Sequence, residues 1–207
     1  MIKKIINDDC INIMPKYADD YFDLAIVDPP YGIKIQQSGG TPKHLGFKNY
    51  TKKNWDNNIP SKEYFEQLFR VSKNQIIFGA NYYTKYLPSS MGWVFWDKGQ
   101  DLTMSDGELA FTSFQKALRR KIINRAEIKK DVAIHPTQKP IRLYRWLLEN
   151  YAKPTDKILD THLGSGSIAI ACHYFDTEEF VGIEIDKEYY DMANKRIEQE
   201  TKQIKLL

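Results

Sequence analysis

Short apolar runs alternate with amphipathic stretches along the chain, and this alternation predicts an α/β domain on a mixed, mostly parallel sheet with helices on both faces. The runs that read as strands are Lys4–Asn7, Phe22–Val27, Gln75–Phe78, Trp93–Trp96, Glu108–Thr112, Lys157–Asp160 and Phe180–Ile185. Each is rich in Ile, Val, Leu or aromatic residues, and most are bounded by polar or turn residues. Helical periodicity marks Ser61–Ser72, Pro140–Tyr151, Ser167–Phe175 and Lys187–Lys202. Ser61 suits an N-cap, and Pro140 suits a first helical turn. Two regions resist a regular assignment. Gly32–Asn54 is Gly-rich and carries Lys34, Lys43, Lys48, Lys52 and Lys53. A loop of that length in a compact domain is expected to be functional or mobile. Lys116–Asp131 is a second basic stretch, holding Arg119, Arg120 and Lys121.

A length of 207 residues suits one well-buried domain, 1–207, with no linker or repeat dividing it. Hydrophobic residues at 42% and charged residues at 28% are ordinary for a globular protein. The 30 Lys and Arg are nearly balanced by 27 Asp and Glu, so a basic surface has to be local. Cys10 and Cys172 form no CxxC, and the four His show no zinc-ligand spacing, so no metal is expected. Two reduced, buried cysteines point to a cytoplasmic protein. The N-terminus lacks the apolar core of a signal peptide, and no run of about 18 apolar residues exists, so no membrane association is expected.

Candidate chemistry lies at both ends of the chain. Near the C-terminus, KILDTHLGSGSIAIA reads as strand, Gly-rich turn and helix. Gly164 and Gly166 allow a sharp turn and close approach to a ligand. With Ala169 they satisfy the G-x-G-x-x-A dinucleotide fingerprint, and Glu184 ends the next strand where a ribose-binding carboxylate belongs. A nicotinamide dinucleotide is therefore one reading. Little chain follows Glu184, however, which leaves no second mononucleotide half unless the order is permuted. Asp160 also suits the ammonium of an amino-acid group, which a dinucleotide lacks.

Near the N-terminus, FDLAIVDPPYG places Asp28 at the carboxyl end of a buried strand, where ligands gather in open α/β sheets. Pro29 and Pro30 forbid helix and hold an extended turn. The Asp28 carboxylate and the Pro29 carbonyl are two acceptors suited to an exocyclic amino group such as that of adenine. Its lone pair is delocalised into the ring, and two acceptors on its N–H groups would localise it and take up the proton. Tyr31 supplies a π face for a base removed from its stack.

Together these segments resemble a known family. Asp28-Pro29-Pro30-Tyr31 looks like the D-P-P-Y motif of amino-group DNA methyltransferases. Asp160 to Ser167 resembles their D-P-F-x-G-S-G loop, with Thr161 and His162 in place of Pro and Phe. His135-Pro136-Thr137-Gln138-Lys139-Pro140 resembles H-P-x-x-K-P, and Asp8-Asp9-Cys10 is similar to G-D-C, with Asp8 in place of Gly. The order, catalytic motif first, is that of the β group, including its short solitary and phage-type adenine-specific members. The resemblance implies a circularly permuted Rossmann-like fold and S-adenosylmethionine as cofactor. It implies that Asp9, with Cys10 beside it, meets the cofactor's adenine, and that Lys139, with His135 or Thr137, holds its carboxylate. Asp160, Gly164, Ser165 and Gly166 would take its amino-acid end, and Glu184 its ribose, with Asp186 behind.

The resulting expectation is N6-adenine methylation of double-stranded DNA. N4-cytosine methylation uses the same electronics, and protein-glutamine or RNA methylation usually shows Asn before Pro-Pro-Tyr. A covalent C5-cytosine route lacks a suitably placed Cys. A non-catalytic nucleic-acid-binding protein on this fold is the alternative of another class. The segment 113–134 is short for target recognition, so Lys34, Lys43, Lys48, Lys52, Lys53, Arg119, Arg120 and Lys121 are expected to meet phosphates. Pairing of two copies into a homodimer is the alternative way to enlarge the DNA surface.

Overall fold

The computed structural model describes residues 2–34, 56–99, 105–124 and 137–202. Its centre is one eight-stranded sheet. The strands are β1 (Ile2–Asn7), β2 (Leu24–Val27), β3 (Gln75–Phe78), β4 (Trp93–Asp97), β5 (Gly107–Thr112), β6 (Arg119–Ile122), β7 (Lys157–Asp160) and β8 (Glu179–Glu184). Their spatial order is β1-β8-β7-β2-β3-β5-β4-β6. All run in one direction except β5, which pairs antiparallel with both β3 and β4. The helices are α1 (Cys10–Ile13), α2 (Lys62–Val71), α3 (Ile141–Tyr151), α4 (Ser167–Phe175) and α5 (Lys187–Lys202).

The sheet is covered on both faces, which is why its central strands read as unbroken apolar runs. In β2, Leu24 and Ile26 pack with α3, α4 and α5, through residues such as Leu147, Ile168 and Ile197. Ala25 and Val27 point the other way, into a cluster with Cys10 and Ile13 of α1 and Phe65 and Leu68 of α2. Strand alternation thus splits one four-residue run between two cores. Ser61 caps α2 by accepting from the Tyr64 N–H at 3.4 Å. Pro140 is the N-cap of α3, one position before the turn expected for it.

Two elements depart from the expected pattern. The stretch from Arg119 to Ile122 is a strand, paired parallel to β4 at the sheet's end. Its residues are mostly exposed, so no alternation betrays it, and its charges suit an edge that has to resist further pairing. The short helix α1 starts directly from its cap: the Asp9 carboxylate accepts from the Ile11 N–H at 3.0 Å. Residues 35–54 of the expected loop and 125–134 of the basic segment lie outside the described residues. Among the described residues, no helix is long and apolar enough to cross a membrane.

The common strand direction brings Asp28, Asp97, Asp160 and Glu184 to one edge of the sheet. Reversal of β5 brings its first residues, Gly107 and Glu108, to that same edge. On this edge Asp186 starts α5, its Oδ1 accepting from the backbone N–H groups of Glu188 at 3.0 Å and Tyr189 at 3.1 Å. Asp186→Ala is expected to lower stability by about 1 kcal/mol, as loss of a helix cap does. The check is a lower urea midpoint with an unchanged slope.

Candidate active site

The turn after β2 is held by three residues from elsewhere in the chain. Asp56 is buried, and its Oδ1 accepts from the backbone N–H groups of Tyr31 at 2.8 Å and Gly32 at 2.9 Å. The hydroxyl of Tyr83, also buried, lies 2.7 Å from both the Pro29 and the Pro30 carbonyl oxygens. Its single proton serves one at a time, and each carbonyl keeps a lone pair for another donor. The third is Gly79, against which the Tyr31 ring packs. Gly79 has φ of +67°, and a Cβ there would lie 2.2 Å from Tyr31 Cε1, so only glycine fits. Tyr82 stacks on the Tyr31 ring at 5.1 Å and 16°.

Asp28 sits in a cluster of four charges. Lys139 is buried, and its ammonium is ion-paired with Asp28 Oδ2. The same ammonium lies 3.2 Å from Glu108 Oε2, whose other oxygen is 2.8 Å from Lys98 Nζ. The Tyr31 hydroxyl lies 2.8 Å from Asp28 Oδ1 and 3.1 Å from Glu108 Oε2, and it accepts from Lys139 at 3.2 Å. Burial raises the Asp28 carboxyl above its ordinary range, and neighbouring Glu108 adds to this, against the pull of Lys139. Burial also opposes ionisation of Glu108, but two ammonium groups hold it down at about 2. Glu108 is therefore the firmly ionised carboxylate, and Asp28 the one with higher proton affinity.

The second half of the site is built on β7, β8 and the turns at their carboxyl ends. Asp160 is buried at the end of β7, and its Oδ1 accepts from the His162 N–H at 3.0 Å. Burial pushes its pKa up to about 8, with Asp28 and Glu184 contributing in the same direction. Gly166 has φ of +73° and would place a Cβ 2.8 Å from Ile197, so the Gly-rich turn lies hard against α5. Arg196 of α5 grips that turn, donating at 2.9 Å to both the Ser165 carbonyl and the Ser167 hydroxyl. Glu184 closes it, with Oε2 accepting from the Gly164 N–H at 2.8 Å and Oε1 from the Asp186 N–H at 2.9 Å.

An open cleft of about 160 Å³ joins the halves, lined by Asp9, Cys10, Ile11, Pro30, Tyr64 and His162 among others. His162 stands where the resemblance has Phe. Its ring meets Tyr64 edge-on at 5.4 Å, and burial pushes its pKa down to about 4, so it lines the cleft as a neutral aromatic. Thr161 ties the two together, its hydroxyl 2.7 Å from the Tyr64 hydroxyl and 2.9 Å from His162 Nδ1. Cys10 is buried, which pushes its thiol up to about 12, and Cys172 is also buried and raised.

Asp28, Pro29, Pro30 and Tyr31 thus lie in one turn, with Asp9, Cys10, Asp160, Gly164, Ser165, Gly166 and Glu184 on the same sheet edge. Lys139, expected at a cofactor carboxylate, stands against Asp28 and Glu108: a buried ammonium takes the nearest anions. Thr137 is a partly buried turn residue ahead of it, and Asp186 is a helix cap. Lys34 is exposed, as are Arg119 and Arg120, the latter 2.5 Å from Asp97, while Lys121 is partly buried. Lys43, Lys48, Lys52, Lys53 and His135 lie outside the described residues. Sequence reasoning passed over Glu108, Lys98, Tyr83, Asp56 and Arg196. Glu108 alone left a trace, as a carboxylate opening an apolar strand.

Comparison with known proteins agrees with this architecture. Residues 81–195, more than half of the chain, match the family model N6_N4_Mtase, DNA methylase. The chain belongs to this family of DNA amino-methyltransferases. The Type II methyltransferase M.HpaI of Haemophilus parainfluenzae is 26% identical over 246 residues, covering 97% of this chain and 76% of that one. The fold is shared with the M1.HpyAVI–SAM complex, with TM-score 0.62, 21% identity and coverage of 94% and 100% of the two chains. It is also shared with the cytosine-N4-specific PvuII DNA methyltransferase, with TM-score 0.62, 10% identity and coverage of 97% and 92%.

A buried carboxyl with a raised pKa costs stability, because the unfolded chain ionises it more readily. For Asp160 the cost is absent below about pH 4 and grows until ionisation in the folded state near pH 8. Asp160→Asn keeps the acceptor for the His162 N–H and removes the ionisable group. It is expected to raise the melting temperature at pH 8 by several degrees and to change it little at pH 4, read by calorimetry at both.

Proposed function

We propose that this chain transfers a methyl group from S-adenosylmethionine to N6 of an adenine in double-stranded DNA. The observation that carries this reading is the Asp28–Pro29 pair, a carboxylate and a carbonyl in successive residues of the turn whose Pro30 lines the cleft shared with Asp9, Tyr64 and His162. The donor set suits the cofactor. Asp160 is a buried carboxyl with no salt-bridge partner within reach among the described residues, and it suits an ammonium. Glu184 ends its strand where a carboxylate would meet a ribose diol, and Asp9, Tyr64 and His162 line a pocket suited to a planar ring. S-adenosylmethionine, when bound, supplies an electrophilic methyl on a positively charged sulfur, which leaves as a neutral thioether.

The rest is work for the chain's own residues. Asp28 and the Pro29 carbonyl accept from the two N–H bonds of the target amino group and turn its lone pair toward the methyl. Asp28 takes the proton that the nitrogen loses. Its raised proton affinity suits that task, and the hydroxyl of Tyr31 turns from Asp28 when the base arrives. Tyr82 now covers the Tyr31 ring, in a position a flipped base would take, and it is 41% exposed, so it has room to swing outward. The aspartate of Asp28-Pro29-Pro30-Tyr31 favours adenine over cytosine by resemblance.

DNA contacts are proposed for Lys34 near the turn and for Arg119, Arg120 and Lys121 on β6. That strand lies four places from β2, about 19 Å at ordinary strand spacing. A duplex whose target base reaches Asp28 would have phosphates over this distance.

Asp28→Ala is expected to abolish methyl transfer to DNA while binding S-adenosylmethionine with near wild-type affinity, measured by calorimetry. Nucleoside analysis of DNA methylated by the wild type should show N6-methyladenine. N4-methylcytosine would overturn the base assignment, and wild-type turnover by Asp28→Ala would overturn the catalytic one. Neutralising Arg119, Arg120 and Lys121 together is expected to flatten the dependence of DNA affinity on salt, since each lost phosphate contact removes released counterions. An unchanged slope would remove β6 from the DNA surface.

A further inference from the structure

The Lys139 ammonium raises a difficulty for the reaction. A lysine paired with a single aspartate would stabilise its charged form and make it a poor proton acceptor. Asp28 does not have this ammonium to itself. Glu108 approaches it from β5, at 3.2 Å, and is itself anchored on its other oxygen by Lys98 at 2.8 Å. The hydroxyl of Tyr31 touches both carboxylates, at 2.8 and 3.1 Å, so the two acids lie on either side of one ammonium and one hydroxyl. Two negative and two positive charges then balance, with the second carboxylate sharing the cation nearest the first.

We infer that Glu108 is a positioning residue for methyl transfer: by holding Lys139 from the far side, it keeps that ammonium from neutralising Asp28 and leaves Asp28 able to accept the amino proton. The inference rests on Asp28 as proton acceptor, as proposed above. Lys98 shares the charge of Glu108 and so limits how far that carboxylate offsets Lys139. The direction of the Asp28 and Glu108 pKa values, one up and the other down at about 2, agrees with this division of charge. Other groups facing Asp28 are Tyr31 from its own turn, Tyr64 of α2, Tyr83 after β3, Tyr144 of α3 and Asp160 of β7. All four tyrosines are raised by burial and stay neutral, so Glu108, Lys139, Lys98 and Asp160 are the charges or potential charges that matter.

The test uses two near-isosteric changes with opposite expected signs. Glu108→Gln removes a negative charge, leaves Lys139 to Asp28 alone, and is expected to lower the Asp28 pKa. Lys98→Met removes a positive charge and is expected to raise it. Carboxyl titration of Asp28 by carbon-13 NMR, in the protein without DNA or cofactor, reads each change directly, with Asp28→Asn identifying the signal. Each displacement is expected to be about one pH unit. In single-turnover methylation, the acid limb of the rate profile should shift in step: down in Glu108→Gln, with a lower plateau from the weaker base, and up in Lys98→Met. Affinity for S-adenosylmethionine should stay within twofold of wild type.

A purely structural role would lower the rate in both variants without moving the titration in opposite directions. An Asp28 titration unmoved in Glu108→Gln, or moved the same way in both variants, overturns the inference. If Glu108→Gln does not fold, the Lys98→Met titration decides: an upward displacement supports the inference and none overturns it. If the titrations move as expected while Asp28→Ala retains turnover, it is the catalytic assignment of Asp28 that fails.

Discussion

The buried ammonium of Lys139 is the constraint around which the candidate active-site edge is built. Taking a charge out of water costs several kcal/mol even after relaxation, so a buried lysine has to be met by anions in good geometry. Asp28 and Glu108 meet it from different strands, and Lys98 balances the second of them. The position of Lys139 is set by the helix next to it in the chain. Pro140 caps α3, and Leu143, Leu147 and Leu148 bury that helix against the sheet, so Lys139 enters the core wherever α3 docks. Apolar packing thus fixes the place of a polar cluster that would not hold itself together.

Strand direction explains why residues far apart in the chain share one site. Parallel strands deliver their carboxyl ends to one edge, where Asp28, Asp160 and Glu184 gather. The order in which those strands occur in the chain is immaterial to that edge, which is why a permuted arrangement builds the same half-sites. The single reversed strand is what adds Glu108, since its first residues reach the edge where its neighbours end. The site therefore combines two kinds of carboxylate: Glu108, ionised by two lysines, and Asp28 and Asp160, whose burial raises their proton affinity.

Rigidity around the Asp28 turn has a similar layered origin. Two prolines remove conformational freedom and two backbone donors, Asp56 accepts from the amides of Tyr31 and Gly32, and the Tyr83 hydroxyl donates to one proline carbonyl at a time. Gly79 lets the Tyr31 ring close against the backbone behind it. Tyr82, by contrast, is held by stacking and is partly exposed, so it is the replaceable side of the aromatic pair.

How much of this was legible in the chain depends on the range of the physics involved. The apolar runs of β2, β3, β7 and β8, the periodicity of α2 to α5, the Asp28-Pro29-Pro30-Tyr31 turn and the Gly164–Gly166 turn are local. Each is set by neighbours within a few residues, so the sequence alone determined the fold class and the family resemblance, and it pointed to two candidate half-sites. The strand at Arg119–Ile122 was not legible, because an edge strand solvated along most of its length carries no alternation. Nor were the partners of Lys139, the tie from Tyr83 to the prolines or the grip of Arg196 on the Gly-rich turn. Coulomb attraction and hydrogen bonding act through space between residues separated by tens of positions, and only the register and direction of the strands bring them together. Tertiary structure decided those, and with them which carboxylates share the Lys139 ammonium.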